Sequence, residues 1–165
     1  MSTLIDRLNR YVENRGMMAN LRCLLVENKK HRAWPVLSRL GIDIKDSVLS
    51  TVAGLYATHP VNTETGNFGT TCKSIESKRN ENQSGNDDKL TPTERRFQHL
   101  LAAEPGQELF KRITRMVLMA ASQNVPVNYT QLEKDLKFWN DRTKAEWASE
   151  YWTPGVLNNT EEIDA

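Results

Sequence analysis

Apolar residues in this chain recur at helical spacing almost from the first residue. Leu4, Ile5, Leu8, Tyr11 and Val12 follow an i, i+1, i+4, i+7, i+8 pattern, which predicts an amphipathic helix with Arg7, Arg10 and Arg15 off the stripe. Gly16 reads as its C-cap, and a second helix runs from Met17 through Leu21, Leu24 and Leu25, with Arg22 inside it. The charged bend Glu27-Asn28-Lys29-Lys30-His31-Arg32 follows. Residues 35–41 read as a short helix closed by Gly41, with Trp34 at its entry as a core residue rather than a stacking platform. Asp43 or Asp46 caps the next helix, whose inner face is Val48, Leu49, Val52, Leu55 and Tyr56 and which ends before His59-Pro60. Residues 61–69 carry turn signals, and residues 70–77 form a last short helix with Cys72 and Ile75 inward.

From Glu76 to Lys89 there is no apolar residue, so this segment cannot bury enough surface to offset its ordering entropy. Immediately after it, Thr91, Pro92 and Glu94 spell a capping box with proline at the first helical position. Phe97, Leu100 and Leu101 follow at helical spacing, with Arg95 and Arg96 beside them in the first turn. The helix dipole disfavours cations there, and an anion at that end would offset the cost. Glu104-Pro105-Gly106 is a turn. Leu109, Phe110, Ile113, Met116, Val117, Ala120 and Ala121 then make the clearest amphipathic helix, with Lys111, Arg112 and Arg115 on its outer side. Asn128, with Gln131 three residues on, caps a helix lined by Tyr129, Leu132, Leu136 and Trp139. Asn140-Asp141 breaks the pattern. Thr143 and Glu146 box the start of a final helix that carries Trp147, Ala148, Tyr151 and Trp152 and stops at Pro154-Gly155.

No period-two alternation persists long enough for a strand. The pattern predicts an all-α chain of two small helical bundles joined by a polar flexible linker: residues 1–76, a linker over 77–90, residues 91–152, and an acidic tail over 153–165.

Composition alters this picture little. The chain has 165 residues and is 38% hydrophobic, which is enough for a core, and its net charge is +1. No apolar run approaches a membrane span, and the first seven residues lack a charged region leading into an apolar one; the expectation is a cytoplasmic chain without membrane contact. Cys23 and Cys72, far apart in helical patterns, read as reduced, buried thiols. Charge distribution says more than the total. Residues 1–76 hold ten Lys/Arg against seven Asp/Glu, residues 95–144 hold nine against five, and the last thirteen residues hold only Glu161, Glu162 and Asp164. Two mildly basic bodies with an acidic tail are compatible with a phosphate-binding face.

Catalytic and metal chemistry find no support. His31, His59, His99, Cys23 and Cys72 share no ligand spacing, and neither cysteine sits in a nucleophile motif. Glu133 and Asp135 flank Lys134 and Lys137, so ion pairing on a wet helix face explains them better than acid–base work. There is no P-loop and no dinucleotide fingerprint, and the reading is a non-enzyme with no cofactor, no metal and no catalytic residues. What remains is the cations: Arg95, Arg96, Lys111, Arg112, Arg115, Arg142 and Lys144 at helix starts and outer faces. Such a face would hold strand backbone without reading sequence, and arginine beside free N–H groups at a helix start suits a phosphate oxygen. An ordinary solvated helix surface accounts for the same residues.

The order Tyr56-Ala57-Thr58-His59-Pro60, Gly66-Asn67-Phe68-Gly69, a polar gap, then Glu94-Arg95-Arg96-Phe97 with Leu100-Leu101 resembles the CasB family, the small subunit of the type I-E CRISPR surveillance complex Cascade. Val125-Pro126-Val127-Asn128-Tyr129 ahead of Leu132, Asp135-Leu136 and Trp139 is similar to the family's C-terminal helix pair, as is Trp147-Ala148 with Tyr151. Ala19-Asn20-Leu21-Arg22 and Leu37-Ser38-Arg39-Leu40-Gly41 resemble its N-terminal bundle. The resemblance implies two helical bundles and a subunit present in two copies within Cascade. There it would touch the subunits of the crRNA-bearing backbone and the large subunit, and help hold target DNA and the displaced strand in the R-loop. By position it places nucleic-acid-facing cations at Arg22, Lys45, Arg96, Arg112 or Arg115, Arg142 and Lys144. Asp141 stands where some relatives have a cation, and the overall charge is low. Both imply weak binding alone, with affinity supplied by the assembled complex. The alternative is a helical protein–protein adaptor without nucleic-acid contact.

Overall fold

The computed structural model describes residues 3–81 and 89–153. The expected tail past 153, and most of the linker placed over 77–90, lie outside the described residues. Those residues form nine α-helices, two short 3-10 turns and no strand. The helices are α1 (Leu4–Asn9), α2 (Arg15–Arg22), α3 (Trp34–Arg39), α4 (Ser47–Thr58), α5 (Phe68–Lys78), α6 (Pro92–Leu101), α7 (Gln107–Ser122), α8 (Tyr129–Lys137) and α9 (Asp141–Tyr151). The 3-10 turns are Cys23–Leu25 and Lys30–Arg32.

Helix α4 is the hub of the first bundle. It packs on α1, α2 and the Cys23–Leu25 turn, and reaches across to α7 and α8. Ser50 and the whole run Val52 to Ala57 are buried on it, the mark of an element enclosed on most sides. Helix α5, expected as the last helix of the first bundle, packs instead against α9, α6 and α7 of the second. Buried apolar residues from Leu4 to Tyr151 form one continuous cluster, so the two bundles share a core.

Most helix starts obey local capping rules. The side chains of Asp46, Asn128 and Asn14 accept from the backbone N–H of Leu49, Gln131 and Met17. Several expectations fail where a cap was misread. Helix α1 stops at Asn9, Tyr11 is exposed, and Gly16 lies inside α2 rather than ending a helix, because Asn14 starts α2 two residues before that glycine. Helix α5 begins at Phe68, not residue 70, because Asn67 and Thr70 make a reciprocal capping box. Helix α9 begins at Asp141 under Asn140, and Thr143 is instead buried, its hydroxyl donating to Phe138 O at 2.7 Å. Both cysteines are free, but Cys23 is only half-buried.

The bundles are joined through residues 125–129, which thread between α4 and the loop after it. His59 Nε2 lies 2.6 Å from Val125 O; since a carbonyl only accepts, Nε2 carries the hydrogen. Thr63 N donates to Val127 O and Val127 N to Val61 O, at 3.1 and 3.0 Å, around an isolated parallel bridge between Asn62 and Val127. The buried Tyr129 hydroxyl donates to His59 O at 2.6 Å, with Leu55 O at 3.3 Å. Its ring meets Tyr56 edge-on at 5.5 Å. Burial pushes the Tyr129 phenol far up, so it stays a donor.

Helices α5 and α9 approach so closely that a Cβ on Gly69 would lie 2.0 Å from the carbonyl oxygen of Trp147. Gly69→Ala is therefore expected to destabilise the chain by about 3 kcal/mol or more, since backbone cannot yield as a side chain would. Gly16→Ala, which meets nothing nearer than Asn14 Oδ1 at 3.6 Å, should be neutral or stabilise by up to about 1 kcal/mol. Urea midpoints of the two variants check this pair.

Candidate nucleic-acid interface

The start of α6 carries Arg95 and Arg96, and the fold satisfies it internally. Glu94 N donates to Thr91 Oγ1 at 3.1 Å, and Glu94 Oε1 accepts from Thr91 N at 2.9 Å. Glu81 Oε1 accepts from Thr93 N at 2.8 Å, and its other oxygen from the Thr93 hydroxyl. The buried Glu76 takes the Thr91 hydroxyl, and Glu94 Oε2 accepts from Trp152 Nε1 at 2.9 Å. Pro92 has no N–H to offer. The expected free N–H groups for a phosphate are thus absent, and the chain's own carboxylates offset the dipole against the arginines. A phosphate here would be held by side chains alone. Arg95 Nη1 donates to Leu90 O at 2.9 Å. Arg96 is exposed, with no partner among the described residues, beside an open hollow it lines with Pro92, Arg95 and His99.

Helix α7 separates its cations. Arg112 is tied down, donating to His99 O at the end of α6 and pairing with Glu108 one turn back. Lys111 and Arg115 are exposed and line a groove of about 310 Å³ whose apolar floor includes Leu24, Leu25 and Phe110. Lys30 borders the same groove, and a neighbouring hollow of about 120 Å³ shares Lys30 and Phe110 and adds Lys45, Trp34 and Ile44. Lys45 and the α7 pair Lys111 and Arg115 thus converge where the bundles meet, together with Lys30 from the charged bend. The carboxylate lining the groove is Glu27, itself paired with Lys30 at 3.4 Å. Trp34, expected in the core, is 43% exposed on this rim. Arg22 stands apart, its Nη1 donating to Ala57 O at 3.1 Å near the end of α4.

The residues 17–152 match the sequence profile of CRISPR-associated protein Cse2 (CRISPR_cse2). The chain belongs to the Cse2 family. Its fold is similar to the crystal structure of a CRISPR-associated Cse2-family protein from Thermus thermophilus, with a TM-score of 0.71 at 20% identity over 92% of this chain and 96% of that one. It is also similar to a crystal structure of CasB from Thermus thermophilus, with a TM-score of 0.68 at 19% identity and the same coverage. CasB from M. ruber aligns over the full length of both chains, with a TM-score of 0.64 at 21% identity. No curated protein matches the chain significantly. Among the described residues of this Cse2-family chain, no group of three or more His, Cys, Asp or Glu could hold a metal ion, and no helix is long and apolar enough to cross a membrane.

The last two candidate cations sit on α9. Arg142 is 89% exposed, with Nε 3.2 Å from Glu146 one turn on, a pair that solvent largely screens. Lys144 Nζ lies 5.6 Å over the Trp139 ring, whose indole N–H donates to Ala103 O at 3.1 Å. The position of α9 depends on Asp135, a residue misjudged from its spacing. Glu133 does pair with Lys137 at 3.3 Å on the outer face. Asp135 instead points inward, accepting from Trp147 Nε1 at 2.7 Å and Gln131 Nε2 at 2.9 Å. Burial raises its carboxyl above the usual 3.8, against the two hydrogen bonds that lower it, with Glu146 raising it further and Lys134 lowering it. A carboxyl raised by folding stabilises the fold at acid pH, and that contribution is lost as pH climbs through the raised value. Asp135→Asn stays neutral throughout. Its stability relative to wild type should therefore improve as pH rises above 3.8, read from denaturation midpoints over a pH series; a difference independent of pH would contradict this account.

Proposed function

We propose that this Cse2-family chain is a non-catalytic small subunit of a type I-E CRISPR Cascade complex. It holds nucleic-acid backbone without reading sequence, steadying target DNA and the displaced strand in the R-loop. It works inside the assembly, against the crRNA-bearing backbone subunits, the large subunit and a second copy of itself. In RNA-guided recognition base pairing reads the sequence, and protein contacts to backbone tip a nearly balanced strand exchange. The observation that carries this reading is the convergence of Lys30, Lys45, Lys111 and Arg115 on one groove system with Glu27 as its lining carboxylate. Arg96 on α6 and Arg142 on α9 are further exposed cations. Cys72, buried and with its thiol pushed well up, is not a competent nucleophile, in keeping with a holding role.

A second reading, a helical adaptor that touches only protein, is favoured by Phe138, 68% exposed at the α8–α9 turn, and by Leu118 on the outside of α7. The two readings separate on salt. Under the first, Lys45→Ala, Lys111→Ala and Arg115→Ala combined should weaken R-loop formation by a reconstituted complex similarly across target sequences. For single-strand binding by the full chain, the triple variant should also flatten the slope of log affinity against log salt by about two. Arg112→Ala should instead lower the melting temperature and leave that slope unchanged, because its guanidinium already joins α6 to α7. A triple variant indistinguishable from wild type in both assays would leave the adaptor reading standing.

A further inference from the structure

The smaller hollow beside Lys45 has features that backbone binding does not use. Trp34 lies on its rim and is 43% exposed, an unusual setting for the largest apolar side chain. His31 meets the indole at a centroid distance of 6.4 Å and an angle of 74°, so it touches the ring without stacking over it. Ile44 and Phe110 contribute apolar walls, and Lys30 and Lys45 supply positive charge. Ser50, only 9% exposed, lines the same hollow, and its hydroxyl has no hydrogen-bond partner among the described residues. That oxygen has almost no accessible surface, so the contacts a ligand in the hollow can make come from Trp34 and the lysines.

We infer that this hollow receives an unpaired base of a single strand, stacked on Trp34, with its flanking phosphates held by Lys30 and Lys45. A planar ring suits an exposed indole, and stacking of this kind tolerates any base because each has a π face. The two lysines complement the phosphates, whereas an apolar protein ridge would leave them unmatched. The larger groove continues from the same Lys30 to Lys111 and Arg115, so a strand leaving the stacked base finds cations along its path. This rests on the proposed holding of nucleic acid and adds to it a contact with bases as well as backbone.

The test compares two probes at low ionic strength on the full chain: an oligothymidylate, and an abasic oligonucleotide of equal length that has the phosphates but no rings. Wild type should prefer the oligothymidylate by about 5- to 150-fold and show quenched indole fluorescence with it. Trp34→Leu, which keeps an apolar side chain in place, should lose the preference and retain affinity for the abasic strand; Trp34→Phe should restore part of it. Lys45→Ala should weaken binding to both probes alike. Helical circular dichroism checks that the variants fold, and the wild-type comparison does not depend on them. Equal affinity of wild type for the two probes would overturn base stacking while leaving backbone holding intact, as would a preference that survives Trp34→Leu. Binding to neither probe would overturn both.

Discussion

Residues 125–129 pass α4 and its following loop with many of their polar groups answered from the other half of the chain. Val125 O faces the His59 ring, Pro126 O takes the Thr71 hydroxyl at 3.3 Å, and both polar groups of the Val127 backbone are engaged by residues 61–63. Asn128 caps α8 while its amide donates to Gly66 O at 2.9 Å, and Tyr129 N donates to Asn62 Oδ1 at 3.2 Å. Non-helical backbone can be buried only when matched in this way. Everything downstream depends on that match. It sets where α8 starts, Asp135 and Trp147 then place α9 against α8, and α9 seats on α5 through Gly69. The groove lined by Lys111 and Arg115 exists because the same seam holds α7 beside α4.

The charge on this molecule is organised by what the fold consumes. Arg112, Arg22 and Lys78 spend their donors on carbonyls at or near helix ends, Lys78 reaching Gln123 O at 3.2 Å and Asn124 O at 3.4 Å. Glu76, Glu81 and Glu94 are drawn inward around the start of α6. A near-neutral total therefore coexists with a basic groove, because acids and bases are sorted between interior duties and the surface. A modest field of this kind suits a subunit whose affinity is shared across an assembly rather than one that grips a strand alone.

How much of this could be seen in the sequence follows the range of the interactions. Helix starts at Asp46, Thr91 and Asn128 were legible because a cap is closed within three residues. The helical class was legible for the same reason, since periodicity is local. Trp34, Asp135 and the open N–H groups expected at the start of α6 turn out differently because their surroundings come from distant segments. Trp147, which turns Asp135 inward, lies twelve residues on, and Glu81 approaches Thr93 from across the polar segment. The charged bend at 27–32 fits either a solvated corner or part of a phosphate footprint by its spacing alone. Its Lys30 joins the groove only when α7, some eighty residues later, is laid beside it. His59 and Val125, which meet in the seam, lie 66 residues apart. Nothing in either stretch alone says that the other is its partner.

The clamp around α6 has a consequence for what the chain can tolerate. Glu76 and Glu81 grip Thr91 and Thr93, so the two ends of the connection between α5 and α6 are pinned to each other by four side chains. Closing a longer connection between fixed ends costs only about 0.6 kcal/mol per doubling. A tag or fluorophore-bearing loop spliced between these anchors should therefore leave α6 and the basic groove in place. The most polar segment of the chain is, in this sense, the natural port through which a working subunit can be labelled.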